Sequence, residues 1–224
     1  MEGSVKTVSQ QAFVTLRGWI LDGTLAPGQI ISDEEIAERL GCSRTPVREA
    51  IKTLQQFGCI ETIRGRVTQV STVDRHDLYL LDAPIAALSR LVATAAGPRL
   101  DVEEIAQMNK INSVLRDAIE SSDFVGVMRA NWEFHEYLAN ASGNRYLADA
   151  LMGLFLHYQR IGGVVYFAHP VEGQYLWRDH QEIIDAYERG DIDRAVEVFT
   201  EHASTYTVPG NVILSLDELQ QARR

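Results

Sequence analysis

The run Ser43-Arg44-Thr45-Pro46-Val47-Arg48-Glu49-Ala50 gathers two guanidinium groups and two hydroxyls on one short stretch of chain. At the N-terminal end of a helix, such groups can read base edges and hold phosphates in the major groove of DNA. Arg44, Thr45 and Arg48 are left outside the apolar positions, at and just after the start of that helix. Thr45 can accept a hydrogen bond from a free amide of the first turn, and Pro46 suits the first helical position, where no amide is needed. A second cationic group, Arg64-Gly65-Arg66, lies between two short apolar runs, Ile60 to Ile63 and Val67 to Val70. Glycine permits a tight turn that comes close to a backbone, and the flanking arginines place positive charge at its tip.

The histidines offer a different chemistry. Asn131 and His135 are four residues apart and project from one helix face, while His180 and His202 fall on two later helical segments. Three imidazoles and an amide oxygen drawn from three helices could hold a divalent metal and leave a position open for an outside ligand. Spacing alone does not bring distant histidines together, and from spacing alone separate satisfaction by hydrogen bonds or solvent is the simpler reading. His157, Tyr158 and Arg160 lie mid-helix beside an apolar run and are candidates to line a cavity. Arg160 could pair with a carboxylate, but a surface arginine with its stem laid on apolar neighbours is the simpler reading. His76 and His169 read as surface or loop residues, and Trp132 as packed in the core or at a helix contact.

Two kinds of element must position these groups. Ile36, Ala37, Leu40, Val47, Ala50, Ile51 and Leu54 recur at helical spacing on either side of Gly41, which predicts a helix, a tight turn and a second helix that bury one side. With the hairpin at Gly65 this forms a DNA-binding head. From Thr72 onward strand signals nearly vanish. Helix-period segments run Asp74 to Ala96, Val102 to Ser121, Phe124 to Ala141, Arg145 to Phe167, Glu172 to Arg189 and Ile192 to Thr207. Gly97-Pro98, Ser121-Ser122-Asp123, Ser142-Gly143-Asn144, His169-Pro170 and Gly190-Asp191 punctuate them, with Asp123 and Asp191 as N-caps. The expected architecture is mainly α: an N-terminal winged helix-turn-helix over 1–71, an all-helical antiparallel bundle with a central cavity over 72–208, and a tail over 209–224.

The 224 residues carry 21 Lys and Arg against 31 Asp and Glu, a net charge of −10. All of that excess lies beyond the head, since residues 1–70 hold 8 basic and 8 acidic side chains. Over 40–70 the cations Arg44, Arg48, Lys52, Arg64 and Arg66 face only Glu49 and Glu61, which predicts a locally positive tip on an acidic body. The sequence has no signal-peptide pattern and no apolar run of about eighteen residues, so no membrane segment is expected. Cys42 and Cys59 fall at apolar positions and read as buried thiols of a cytoplasmic protein.

The octet, its approach through Ile20-Leu21-Asp22-Gly23-Thr24-Leu25-Ala26-Pro27-Gly28, and the hairpin from Gly58 to Val67 together resemble the GntR family of winged-helix transcription regulators. The stretch from Phe134 to Asn144, Asp179 to Ala186, Gly190-Asp191, Ala195 and Glu201-His202 is similar to the FCD effector domain of the FadR-type branch. The resemblance implies DNA contacts from Ser43, Arg44, Thr45, Arg48, Lys52, Arg64, Gly65 and Arg66, and a homodimer on a pseudo-palindromic operator. It also implies a metal held by Asn131, His135, His180 and His202, with Zn or Ni favoured by the usual affinity order. Two departures stand out. Asn131 replaces the commoner Asp, leaving the metal's full charge to favour an anionic ligand. Where the family usually carries an Arg…Glu pair, Pro84 interrupts Leu81 to Arg90 and should kink or break that helix.

Two function classes follow. One is a repressor released when a small carboxylate metabolite enters a metal-containing cavity. The other is a metal-dependent hydrolase or isomerase with an accessory DNA-binding-like head. The sequence has no zincin motif and no nucleophile arrangement, and Glu133, Glu136 and Glu201 have no assigned geometry. The regulator is the expected reading.

Overall fold

Thr7 opens the first helix by a reciprocal cap: its hydroxyl accepts from the Gln10 amide, and its own amide donates to Gln10 Oε1 at 2.8 Å. The computed structural model describes residues 7–72, 76–168 and 173–204. By internal contacts the chain divides into two compact units, Met1–Asp74 and Arg75–Arg224.

The first unit contains α1 (Val8–Leu21), α2 (Asp33–Leu40), α3 (Arg44–Gln56), β1 (Ile60–Ile63) and β2 (Val67–Val70). Ser32 caps α2 by accepting from the Glu34 amide, and Gly41 ends it at φ 63°, a left-handed turn that glycine adopts without Cβ strain. Leu16 of α1, Ile36 of α2, and Val47 and Leu54 of α3 form the buried seam. The cap of α3 differs from the sequence expectation. Ser43 is the N-cap and makes no side-chain cap bond, so Thr45 and Pro46 are the second and third helical residues. Pro46 remains in the first turn, whose amides have no intrahelical acceptor, so the missing N–H costs nothing.

β1 and β2 pair antiparallel from Ile60↔Val70 to Ile63↔Val67. Arg64 and Gly65 both have positive φ, 50° and 67°, and the Arg66 amide closes the turn on the Ile63 carbonyl at 3.1 Å. Ile31 and Gln29 exchange backbone hydrogen bonds with Thr68 and Val70, giving β2 a short third edge. Cys59 is buried, but Cys42 is only half-buried, because it lies in the turn after Gly41 rather than on a packed face.

The second unit is a bundle of α4 (His76–Ala96), α5 (Val102–Glu120), α6 (Phe124–Ala141), α7 (Arg145–Ala168), α8 (Gly173–Glu188) and α9 (Ile192–Ser204), with a 3-10 turn at Gly97–Arg99. Asp101, Asp123 and Asp191 cap α5, α6 and α9 by accepting from first-turn amides at 2.9–3.1 Å. Helix α4 packs on α9, α7 and α6, and α5 packs on α6 and α8. Phe134, Phe155 and Phe199 are the largest fully buried side chains among the described residues.

Pro84 does not break α4, which runs on through Ala96. Pro84 and Leu80 are both exposed, so the carbonyl that loses its partner can turn to water. The membrane expectation also needs amending: Leu80–Arg99 is long and apolar enough, at a mean hydropathy of 1.3, to pass a length-and-composition test for a span. Ile85, Val92, Ala93 and Ala96 form its buried face and pack inside the bundle, while only 28% of the stretch is buried. His169 and the tail over 209–224 lie outside the described residues.

Candidate functional site

All eight candidate DNA contacts are exposed: Ser43, Arg44, Thr45, Arg48 and Lys52 on α3 and its cap, and Arg64, Gly65 and Arg66 on the hairpin tip. The burial of Val47, Ala50, Ile51 and Leu54 forces this, because the opposite face of α3 must carry the cations. The two acids counted against them are engaged elsewhere. Glu49 receives the Ser9 hydroxyl, and Glu61 accepts from its cross-strand neighbour Gln69 at 2.9 Å. An acid outside the counted window does reach them. Asp33 of α2 accepts from Arg44 and from Arg48, so the tip is less positive than its local charge count suggests.

In the bundle, α6, α8 and α9 bring three histidines together. His202 Nε2 lies 3.3 Å from His135 Nε2 and 3.1 Å from His180 Nε2, all buried. His202 Nδ1 lies 3.0 Å from the acceptor Asp179 Oδ2, so the neutral ring turns its Nε2 lone pair to the other two rings. One lone pair cannot accept from both neighbours. Burial, reinforced by the neighbouring His202, holds His135 and His180 well below the ordinary imidazole pKa, so both are neutral and can act as ligands. A cation among the three nitrogens uses every lone pair at once. With Zn–N bonds of about 2.0–2.1 Å, tetrahedral ligand nitrogens stand about 3.4 Å apart and octahedral neighbours about 2.9 Å; the two separations here fall in that interval. The three ligand atoms all lie within 4.8 Å of one another.

Asn131 sits one turn before His135 on α6, buried, and its Oδ1 has no hydrogen-bond partner among the described residues. An orphaned buried carbonyl oxygen is costly, and coordination is one way to satisfy it. Phenylalanines wall the cluster. Phe134 stacks on His180 with centroids 3.7 Å apart, Phe155 lies 4.0 Å from His135, and the Phe199 centroid is 5.2 Å from His135.

Of the three candidates on α7, Tyr158 and Arg160 are buried and His157 is half-buried. Arg160 is 6 % exposed, which corrects the surface-arginine reading: Leu156, Tyr158, Gln159 and Arg160 are buried together, so this part of α7 has little outward face. Trp132 is core, as expected. Sequence reasoning assigned no role to Asp33 or Asp179. For Asp179 the one available signal is its place next to His180.

Comparison with known proteins identifies both units. Residues 8–70 match the family described as bacterial regulatory proteins, gntR family, and residues 85–205 match the FCD domain. The HTH-type transcriptional regulator YdhC of Bacillus subtilis (strain 168) is 26% identical over 199 residues, covering 86% of each chain. The HTH-type transcriptional repressor RspR of Escherichia coli (strain K12) is 26% identical over 195 residues, covering 87% of this chain and 85% of that one. Among solved structures, E. coli McbR/YncC superposes with a TM-score of 0.78 at 19% identity, covering 98% of this chain and all of the other. At that identity the likeness speaks for the fold.

Proposed function

Because the chain belongs to the GntR family of bacterial transcription regulators with an FCD domain, we propose that it is a homodimeric, cytoplasmic repressor released from its operator by a small carboxylate. The families matched are regulators rather than enzymes, which removes the hydrolase or isomerase alternative. The carrying observation is the cluster of His135, His180 and His202, whose Nε2 atoms meet at 3.1 and 3.3 Å on three helices of the FCD unit.

In this reading residues 1–71 bind DNA and 72–208 bind effector and partner. Asn131, His135, His180 and His202 hold a divalent ion, Zn or Ni by the usual affinity order. When bound, the ion supplies a Lewis-acid position to which a carboxylate oxygen can attach. Asp179 keeps His202 in the tautomer that presents Nε2. Phe134, Phe155 and Phe199 keep the surroundings apolar and dry, which strengthens charge interactions there. Tyr158 and Arg160, with the half-buried His157, are the α7 side chains proposed to grip the effector, Arg160 by a charge-assisted pair with its carboxylate.

The test is titration of operator binding with small organic acids, in wild type and in His180→Ala, after a thermal-shift screen with and without added Zn. The reading expects an acid that weakens operator binding by wild type and has a much reduced effect on the variant. A metal-free variant with an unaltered response would place the sensing site away from the histidines.

A further inference from the structure

The arginines at the start of α3 are already engaged. Asp33, the first residue of α2, precedes Arg44 by 11 residues and Arg48 by 15, and the turn at Gly41 folds both back onto its carboxylate. Arg44 donates from Nη2 to Oδ1 at 2.9 Å and to Oδ2 at 3.2 Å, and from Nε to Oδ2 at 3.3 Å. Arg48 donates from Nε to Oδ2. Glu34 adds a longer contact, 3.7 Å from Arg44 Nη1. The Asp33 side chain is 20% exposed against 49% for Arg44 and 59% for Arg48, so the carboxylate sits below two guanidinium groups that face outward. Pairing with Arg48 and then Arg44 lowers the Asp33 pKa, so it is charged at neutral pH.

The edges used matter. Arg48 is held by Nε, and its Nη1 and Nη2 make no hydrogen bond among the described residues. That terminal pair can meet guanine O6 and N7 together in the major groove. We propose that Asp33 is a positioning residue for DNA sequence specificity: it fixes Arg48 in the orientation that reads base edges, and it disfavours the use of Arg44 and Arg48 on phosphates. This inference rests on the reading of α3 as the DNA-recognition helix.

Two effects act in the same direction. A free arginine samples many rotamers and loses them on contact, whereas one already paired to a fixed carboxylate has lost most of them beforehand. The carboxylate also offsets part of the positive charge that drives sequence-independent binding to phosphates. The first effect raises affinity for the right sequence, and the second lowers it for every sequence. Specificity is the difference between the two.

The experiment uses the full chain. Wild type selects a duplex from a random library, and affinities for that duplex and a scrambled duplex are measured at one near-physiological salt concentration. Asp33→Asn is expected to lower the ratio of selected to scrambled affinity roughly tenfold, the scale of one bidentate base contact, while scrambled binding tightens. Asp33→Glu keeps the charge but shifts it by one methylene, so the ratio should fall with scrambled binding unchanged. Glu35→Gln removes the same charge from the same helix turn, where it contacts neither arginine; both affinities should tighten together and the ratio hold. An Asn variant with the wild-type ratio overturns the inference, as does one that matches Glu35→Gln. If the Asn variant loses its melting transition, the Glu variant carries the same test, and a wild-type ratio there is equally fatal. A wild type that selects no sequence removes the α3 reading and this inference with it; a selecting wild type with an unaltered Asn ratio removes the inference alone.

Discussion

The Asp179 carboxylate lies 3.0 Å from His202 Nδ1 and turns that ring so that its Nε2 faces Nε2 of His135 and His180. Asp179 is the chain neighbour of His180, so one turn of α8 supplies a ligand candidate and the orienting partner of another on α9. Partners of this kind fix the tautomer and raise the basicity of the ring they hold. Asp179→Ala is therefore expected to weaken metal binding about 10–100-fold, measured by competition with a chelator. Unchanged affinity would mean that His202 needs no such partner.

His180 is fully buried and stacked on Phe134 within 9° of parallel. His180→Ala removes both a ligand and a packed ring between α6 and α8. The metal-free variant should lose about 2–4 kcal/mol of stability to the cavity, by analogy with other large-to-small core changes. Wild type at a hundred times the dissociation constant of Zn should gain about 2.7 kcal/mol from the metal. The variant should show little of that gain. Calorimetry with and without Zn separates the two effects, and an equal Zn-induced rise in both proteins would exclude His180 as a ligand.

Much of this was legible in the sequence, for identifiable reasons. The starts of α6 and α9 followed from Asp123 and Asp191, and the end of α6 from Ser142-Gly143, whose capping and turn chemistry is local. The start of α3 was misplaced because Ser43 and Thr45 are both capping residues and Pro46 is tolerated throughout a first turn. Asp33 escaped because charge counting treats side chains as independent, whereas its partners are set by the turn at Gly41. The meeting of His135, His180 and His202 depends on how α6, α8 and α9 pack, and no spacing encodes that. The burial of Arg160 escaped for a related reason: α7 is buried nearly all round at that point, so its period has no outward side to read.

The Asp33 pair sets a pH window. Its arginine partners lower the native pKa below the ordinary 3.8, so the unfolded chain binds this proton more readily than the native one. The stabilisation is complete above the unfolded value and is lost as pH falls through the native value. The difference in melting temperature between wild type and Asp33→Asn should hold constant from about pH 5 to 8 and shrink below about pH 4. A difference that changes near neutrality would point to another group.

Arg48 and Arg66 should fail in different ways. Arg48 offers a free terminal pair on α3, and Arg48→Ala should cost about 1–3 kcal/mol on the selected duplex and far less on scrambled DNA. Arg66 sits at the exposed hairpin tip, where phosphate or the minor groove is the natural target. Arg66→Ala should weaken both duplexes by similar factors. Equal losses on both duplexes for Arg48→Ala would reassign it to the phosphate backbone.

Salt dependence tests the assembly. If three cations of each head meet phosphates and two heads bind together, the plot of log affinity against log salt should have a slope of about −5. A single head would give about half that steepness. Two recognition helices related by a two-fold axis also require half-sites about 34 Å apart, one helical turn of DNA. Inserting five base pairs between the half-sites turns one to the far side of the duplex and should abolish tight binding, whereas ten restore the facing. Sedimentation at micromolar concentration should show a dimer without DNA. A monomer there, with the shallow slope and indifference to the insertion, would contradict the paired-head assembly while leaving each head's contacts intact.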